Sequence, residues 1–116
     1  MRTTLSFLAV LVSVLGFAVG VSSAADAPAA RVRSDSSATE RGEQIFRSTC
    51  AACHGLDGRG GEHAPNIATE PRVQGMDDDA LAKVITNGIP AAGMPGFGSS
   101  LKPEQIRSVV TYLRTL

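Results

Sequence analysis

The pattern of apolar and polar positions predicts three helices and no strand, so the expected fold class is all-α. The helices run from about Ser37 to Cys50, from about Asp77 to Asn87, and from about Pro103 to Thr115. In the last two, apolar residues recur three or four positions apart and form one stripe on the helix surface. The apolar faces consist of Ile45 and Phe46 in the first helix, Leu81, Val84 and Ile85 in the second, and Ile106, Val109, Val110 and Leu113 in the third.

Local signals indicate where these helices start and stop. Ser37 and Glu40 have the spacing of a capping box at the start of the first helix. Asp77 is a good N-cap for the second helix, and Gly88 is a stop signal at its end. Gly42 runs against the pattern, because a glycine inside a helix costs about 1 kcal/mol relative to alanine. We therefore expect Gly42 to permit close packing against another element.

Residues 1–25 have the three-part layout of a secretory signal peptide. Arg2 supplies a basic start, and residues 5–21 are uncharged and almost wholly apolar before a run of small residues. We expect cleavage after Ala24 or Ala25 and export to the periplasm. The alternative is an uncleaved N-terminal membrane anchor, for which the apolar run is at the short end of the usual length.

The rest of the chain divides into a linker and one domain. Residues 26–38 are rich in Ala, Ser and Arg without apolar periodicity, and they are predicted to be a flexible linker, disordered or extended. Residues 39–116 are the predicted domain. A core that small is marginal unless a disulfide, a metal or a cofactor supports it.

The charge balance excludes some partners. The chain has 11 basic and 11 acidic residues, and Arg2 is the only charged residue among the first 25. Without that segment the chain has one more acid than base, which argues against binding to nucleic acid or to an anionic membrane surface.

The candidate chemistry lies in Cys50-Ala51-Ala52-Cys53-His54, which has the C-x-x-C-H pattern of covalent haem attachment. Two thiols three positions apart lie on one side of a helix end, so they can reach two vinyl groups of one porphyrin. His54 follows immediately, and its imidazole can bind the iron on one face of the porphyrin. Covalent attachment would also hold a cofactor that a small core could not retain.

Other interpretations of the cysteines remain open at this point. A thioredoxin-like redox pair requires a βαβ pattern, which the sequence lacks. A zinc site could nominally use Cys50, Cys53, His54 and His63, although their crowding in a short loop is poor for tetrahedral binding. A plain disulfide would explain the cysteines but not His54.

The methionines are candidates for the sixth ligand of the haem iron. Met76 precedes three acidic residues and is predicted to be solvated, whereas Met94 lies in Gly93-Met94-Pro95-Gly96-Phe97. A thioether opposite histidine raises the reduction potential of the iron. The alternatives are a Met94 that only fills the loop, with an open iron or with His63 as the ligand.

These motifs, taken in order over residues 39–116, resemble class I cytochrome c, the monohaem c-type cytochrome family, in its compact bacterial form. The stretch from Gly42 to His54 resembles the N-terminal helix and its haem motif, and Gly93 to Phe97 resembles the axial-methionine loop. Ala64-Pro65-Asn66-Ile67 is similar to the loop whose proline carbonyl accepts a hydrogen bond from the proximal histidine. Leu101 to Leu113 resembles the C-terminal helix.

The resemblance implies a small helical domain wrapped around one covalently bound haem c. Cys50 and Cys53 would form thioethers, His54 and Met94 would bind the iron, and Pro65 would orient His54. In the family the terminal helices cross, which implies contact of Gly42 with Tyr112 and proximity of Phe46 to Val109.

The implied function is that of a non-enzymatic carrier of single electrons between redox proteins in the periplasm. Its partners would be an upstream dehydrogenase or cytochrome complex and a downstream oxidase or reductase. Docking through a ring of lysines is not expected, since the chain has only Lys83 and Lys102. The alternatives are a membrane-anchored or tightly bound subunit of a dehydrogenase or terminal oxidase complex, and a haem sensor with a displaceable methionine.

Overall fold

The computed structural model describes residues 27–116, and within that part of the chain every regular element is a helix. The predicted signal peptide at residues 1–25 lies outside the described residues. The elements are α1 (Ala27–Ile45), a π-helix (Phe46–Cys50), α2 (Ala51–His54), α3 (Pro71–Gln74), α4 (Asp78–Asn87), a 3₁₀-helix (Pro90–Ala92) and α5 (Pro103–Leu113). The all-α prediction is confirmed.

The first helix begins earlier than expected. The prediction of a disordered or extended linker is wrong from Ala27 onward, and Ser37 lies inside α1 rather than at its N-cap. Alanine favours helix, and the polar side chains are satisfied locally. Thr39 Oγ1 donates to the carbonyl oxygen of Asp35 at 3.0 Å, so these hydroxyls do not break the helix. The division of the chain at residue 39 stays a prediction.

The core lies where α1, α4 and α5 meet, because α5 packs against both of the other helices. The residues of the predicted apolar stripes form this core, except Val84 and Ile45, which are half-buried. Phe46 and Val109 are almost completely buried, and the Phe46 and Tyr112 rings are 5.4 Å apart at a tilted angle. The buried cluster consists of Phe46, Leu81, Ile85, Ile106, Val109, Val110, Tyr112 and Leu113.

Gly42 marks the point of closest approach between α1 and α5. A Cβ atom on Gly42 would lie 1.9 Å from the carbonyl oxygen of Ser108 and 2.9 Å from Cβ of Tyr112. The two helices therefore pack with backbone against backbone at this point, which only glycine allows. The expected contact between Gly42 and Tyr112 is confirmed.

The predicted starts of α4 and α5 are confirmed, although α5 is not capped by its own N-cap side chain. Asp77 accepts a hydrogen bond from the backbone N–H of Ala80 at 2.7 Å, and Gly88 ends α4 with a φ of 71°. At α5, where Lys102 has no acceptor to offer, the side chain of Gln105 accepts from the Lys102 N–H at 2.9 Å.

Substituting Asp77→Ala is expected to lower the free energy of unfolding by about 1 kcal/mol, because it removes the N-cap acceptor of α4. Asp79→Ala is the matched control, since that exposed carboxylate lies in the first turn of α4 without capping it. Urea denaturation of the two variants measures the difference. Equal losses in both would show that general helix-dipole electrostatics, rather than the cap, stabilises the start of α4.

The connections between helices place the remaining candidate residues. The backbone of residues 55–70 turns back on itself, with Ile67 and Ala68 N–H groups both bonding the carbonyl oxygen of Gly58. Residues 88–101 form a second loop that returns to the C-terminal end of α4.

In the part of the chain described, no helix has both the length and the apolar character needed to cross a membrane.

Candidate haem-attachment site

The two cysteines lie where a π-helix passes into a short α-helix. Cys50 is the last residue of the π-helix, and Cys53 belongs to α2. Cys50 is half-buried and packs against the core cluster, whereas Cys53 is exposed. One thiol is thus anchored on the core while the other faces outward, although the sequence pattern treats them alike. Both are free thiols in the structure.

Burial changes the acidity of Cys50. Loss of water contact, followed by the proximity of Cys53, raises the pKa of Cys50 from 9.0 to about 11. The thiolate, not the thiol, attacks disulfides and oxidants. Burial therefore makes Cys50 a weaker nucleophile than an exposed cysteine thiol.

His54 is oriented by the loop that follows it. Its Nδ1 atom lies 3.2 Å from the carbonyl oxygen of Pro65. A carbonyl oxygen can only accept, so this hydrogen bond requires the tautomer with a proton on Nδ1. The Nε2 atom then carries the free lone pair that a metal ion needs.

The Pro65 carbonyl is held in place by a tight backbone crossing. A Cβ on Gly60, whose φ is 89°, would lie 2.7 Å from the Asn66 nitrogen and 2.8 Å from the Pro65 carbonyl carbon. The Gly60 N–H also donates to the carbonyl oxygen of His54 at 2.8 Å. Gly60 thus joins the two segments that carry the histidine and its hydrogen-bond acceptor. No pattern in the sequence had singled out Gly60.

Met94 lies on a short antiparallel bridge. Ile89 and Met94 exchange two backbone hydrogen bonds of 2.9 and 3.2 Å, and the 3₁₀-helix Pro90–Ala92 turns the chain between them. Gly93 closes the turn in the left-handed region with a φ of 79°. Met94 itself is half-buried, while Met76 is exposed, as predicted.

The Met94 loop is also fastened to the end of α4. A Cβ on Gly88 would lie 2.5 Å from the Gly96 nitrogen and from the Met94 carbonyl oxygen, so backbone meets backbone here. The Phe97 N–H donates to the carbonyl oxygen of Ile85 at 2.9 Å. The backbone around Met94 is therefore fixed by hydrogen bonds and close packing.

The structure also tests the alternatives to haem attachment. Among residues that the structure describes, no three His, Cys, Asp or Glu side chains come close enough to hold a metal ion, so the four nominal zinc ligands are not assembled. His63 is exposed. A βαβ unit of the thioredoxin type is absent from residues 27–116.

The structure thus brings His54 and Pro65 together, places both cysteines at the helix end before them, and puts Met94 in a separate, rigid loop. Such a set of thiols, imidazole and thioether is the donor set of a c-type haem.

The sequence of residues 37–113 matches the family described as cytochrome c oxidase, cbb3-type, subunit III. The chain belongs to this family. It is a monohaem class I c-type cytochrome, a class whose cofactor is an iron-containing haem c attached covalently, and whose general role is electron transport.

Individual relatives agree with this assignment. The cbb3-type cytochrome c oxidase subunit FixP of Azorhizobium caulinodans is 33% identical over 71% of this chain and 28% of that subunit. Cytochrome c55X of Paracoccus denitrificans is 35% identical over 60% of this chain and 65% of the relative. The chain thus spans less than a third of the FixP subunit that it matches.

Solved structures support the fold. The c-type cytochrome KustC0563 has a TM-score of 0.58 and 25% identity, with 64% of this chain and 94% of that protein covered. Cytochrome cL of Methylophaga aminisulfidivorans superposes with a TM-score of 0.61 at 23% identity, over 70% of this chain and 54% of that protein. The helical cytochrome c fold predicted from the sequence is confirmed.

Proposed function

We propose that this cytochrome carries single electrons between redox proteins in the periplasm, with its haem iron bound by His54 and Met94. A haem c iron that alternates between Fe(III) and Fe(II) supplies the one-electron chemistry. The observation that carries the proposal is the hydrogen bond between His54 Nδ1 and the Pro65 carbonyl, which leaves Nε2 free to bind iron.

Cys50 and Cys53 are the proposed attachment points. Addition of a thiol across a vinyl group forms a carbon–sulfur bond and moves the thiol hydrogen to the other vinyl carbon, so attachment needs no oxidant. Packing against the core cluster would fix the position of Cys50 next to the bound haem, and the exposed Cys53 is accessible to the attachment machinery.

Met94 is the proposed second axial ligand, and it favours the ferrous state of the iron. Its thioether is a soft ligand that raises the reduction potential. The bridge to Ile89 fixes its backbone, so little loop ordering is required on binding iron. An iron with two protein ligands has no open position for a substrate, and we therefore propose that the protein is not itself an enzyme.

Optical spectra of the protein expressed with the haem-attachment machinery test the proposal. We expect a c-type pyridine haemochrome together with a sulfur-to-iron charge-transfer band in the ferric protein. In Met94→Ala the haemochrome should remain, the charge-transfer band should disappear, and the reduction potential should fall by on the order of 100 mV, within the range of about 0.8 V that axial ligands span.

Met76→Ala is the matched control, since that methionine is exposed at the start of α4. Loss of the band in Met76→Ala, or its persistence in Met94→Ala, would refute the ligand assignment. Absence of haem from the purified protein would refute the whole proposal.

A second candidate function is that of a bound subunit of an oxidase complex. The FixP and CcoP relatives favour it, since their names describe oxidase subunits and this chain matches less than a third of their length. Detergent extraction distinguishes the two roles. A periplasmic fraction that holds the haem protein as a monomer supports the carrier, and co-purification with membrane-bound oxidase activity supports the subunit.

A further inference from the structure

The side chain of Asn66 forms a pair of hydrogen bonds directly after the Pro65 carbonyl. Its Oδ1 atom accepts from the Thr69 N–H at 3.0 Å, and its Nδ2 atom donates to Thr69 Oγ1 at 2.7 Å. An asparagine that bonds the backbone a few residues further on fixes a turn. Because both ends of the amide are engaged, the direction in which the Asn66 side chain leaves the backbone is fixed as well.

The peptide group between Pro65 and Asn66 therefore has little freedom to rotate. A planar peptide group turns only when the backbone dihedrals on both sides of it change together. The ring of Pro65 fixes φ on one side, and the bonds to Thr69 restrain Asn66 on the other. The next two N–H groups along the chain both donate to the Gly58 carbonyl oxygen, at 2.7 and 3.0 Å. Asn66 is thus the residue at which a rotation of the Pro65 carbonyl is either absorbed or prevented.

The hydrogen bond to His54 is sensitive to such a rotation. Its length of 3.2 Å is at the upper end of the range for an N–H donor, and hydrogen bonds weaken steeply as their alignment is lost. A hydrogen-bond partner on one ring nitrogen makes the other nitrogen a more basic ligand. A more basic ligand favours Fe(III), so the direction of the Pro65 carbonyl bears on the reduction potential.

We propose that Asn66 is a positioning residue for His54. Through its two hydrogen bonds to Thr69, it aims the Pro65 carbonyl at the imidazole and thereby holds the reduction potential of the iron down. The inference rests on the proposed function, because it requires His54 to bind the iron.

Redox titration of Asn66→Ala tests this role, since the substitution removes both hydrogen bonds and adds no charge. We expect the equilibrium constant for reduction of the iron to rise by about threefold to tenfold, which corresponds to the free energy of one ordinary hydrogen bond. Asn66→Ser should move the constant back towards the wild-type value, because a hydroxyl can accept from the Thr69 N–H in a similar turn.

Thr69→Val is a milder test at an exposed position. It removes the Oγ1 acceptor of Asn66 Nδ2 and keeps the Thr69 N–H, so the equilibrium constant should rise by less than in Asn66→Ala. This variant decides the question if Asn66→Ala does not fold.

A second measurement reports on His54 directly. In the diamagnetic ferrous protein, the Nδ1–H proton gives a nitrogen-correlated NMR signal, and its exchange with water slows when it is hydrogen-bonded. In Asn66→Ala we expect exchange to be faster by about threefold or more, for the same hydrogen-bond free energy. The sulfur-to-iron band should remain, because Met94 lies in a different loop.

Gln74→Ala is the matched control. Gln74 Nε2 donates to the carbonyl oxygen of Ala68 at 2.7 Å, so this variant also removes an amide hydrogen bond from the segment after Pro65. A purely structural role of Asn66 predicts that both alanine variants lower the free energy of unfolding and leave the potential unchanged. We expect the potential and the His54 proton exchange to change only in Asn66→Ala.

Two results would overturn the inference. One is an unchanged potential and unchanged proton exchange in Asn66→Ala and Thr69→Val, and the other is an equal change in Gln74→Ala. Failure of the proposed function has a different signature. A wild-type protein without haem, or without haem-shifted His54 signals, rejects the ligand and the inference together, whereas normal wild-type spectra with unaltered variants reject only the role of Asn66.

Discussion

Gly42→Ala is expected to prevent stable packing of α1 on α5, although alanine is the better helix former. In an open helix the substitution would add up to about 1 kcal/mol of stability. Here the new Cβ would lie 1.9 Å from the Ser108 carbonyl oxygen, a distance at which backbone must move. We expect a loss of at least about 3 kcal/mol, the upper end for overpacked cores, since neither helix backbone can give way alone.

Thermal and urea unfolding of the holo-protein measure this effect. Gly61→Ala is the matched control, because its Cβ would lie 3.4 Å from the Cys53 carbonyl oxygen, an ordinary contact, and its φ is not positive. That control should change stability by less than about 1 kcal/mol. A Gly42→Ala protein as stable as the wild type would mean that α1 and α5 do not cross as the structure shows.

Gly88→Ala is expected to remove Met94 from the iron without changing any proposed ligand. Its Cβ would lie 2.5 Å from the Met94 carbonyl oxygen, and its φ of 71° is unfavourable for alanine. The Met94 loop must then lift from the end of α4. We expect the haemochrome to remain, while the sulfur-to-iron band disappears and the reduction potential falls as in Met94→Ala.

Gly93→Ala separates backbone strain from displacement of the loop. Gly93 also has a positive φ, at 79°, but nothing lies within 4 Å of the Cβ it would gain. The variant should lose about 1 kcal/mol of stability and keep the charge-transfer band. If Gly88→Ala also keeps the band, the contact between α4 and the Met94 loop does not position the methionine.

Much of the fold could be predicted from local sequence. The stripes on α4 and α5 become the buried cluster, and Asp77 and Gly88 mark the ends of α4, since apolar periodicity and cap chemistry act within a few residues. The start of α1 could not be predicted in this way. Residues 27–38 have no apolar stripe, but their alanines favour helix, and the Ser36 hydroxyl is accommodated by donating to the carbonyl oxygen of Arg33.

The candidate site, too, could be predicted from the sequence only in part. The spacing of Cys50, Cys53 and His54 identified the attachment motif from sequence alone, because these residues are close neighbours along the chain. The difference between the half-buried Cys50 and the exposed Cys53 depends on what packs against each, and the periodicity did not reveal it. The assignment of Met94 stays a prediction.

The sequence by itself determined the helical class and the attachment motif, because each depends on neighbouring residues along the chain. Only the tertiary structure decided how distant segments meet. It joined Gly42 to Ser108, Gly60 to Pro65 and Gly88 to Gly96 in backbone contacts. A glycine has no side chain that could indicate its partner in a sequence pattern. The packing of Gly42 on α5 was expected only through the family resemblance, and the contacts of Gly60 and Gly88 became visible only in the folded chain.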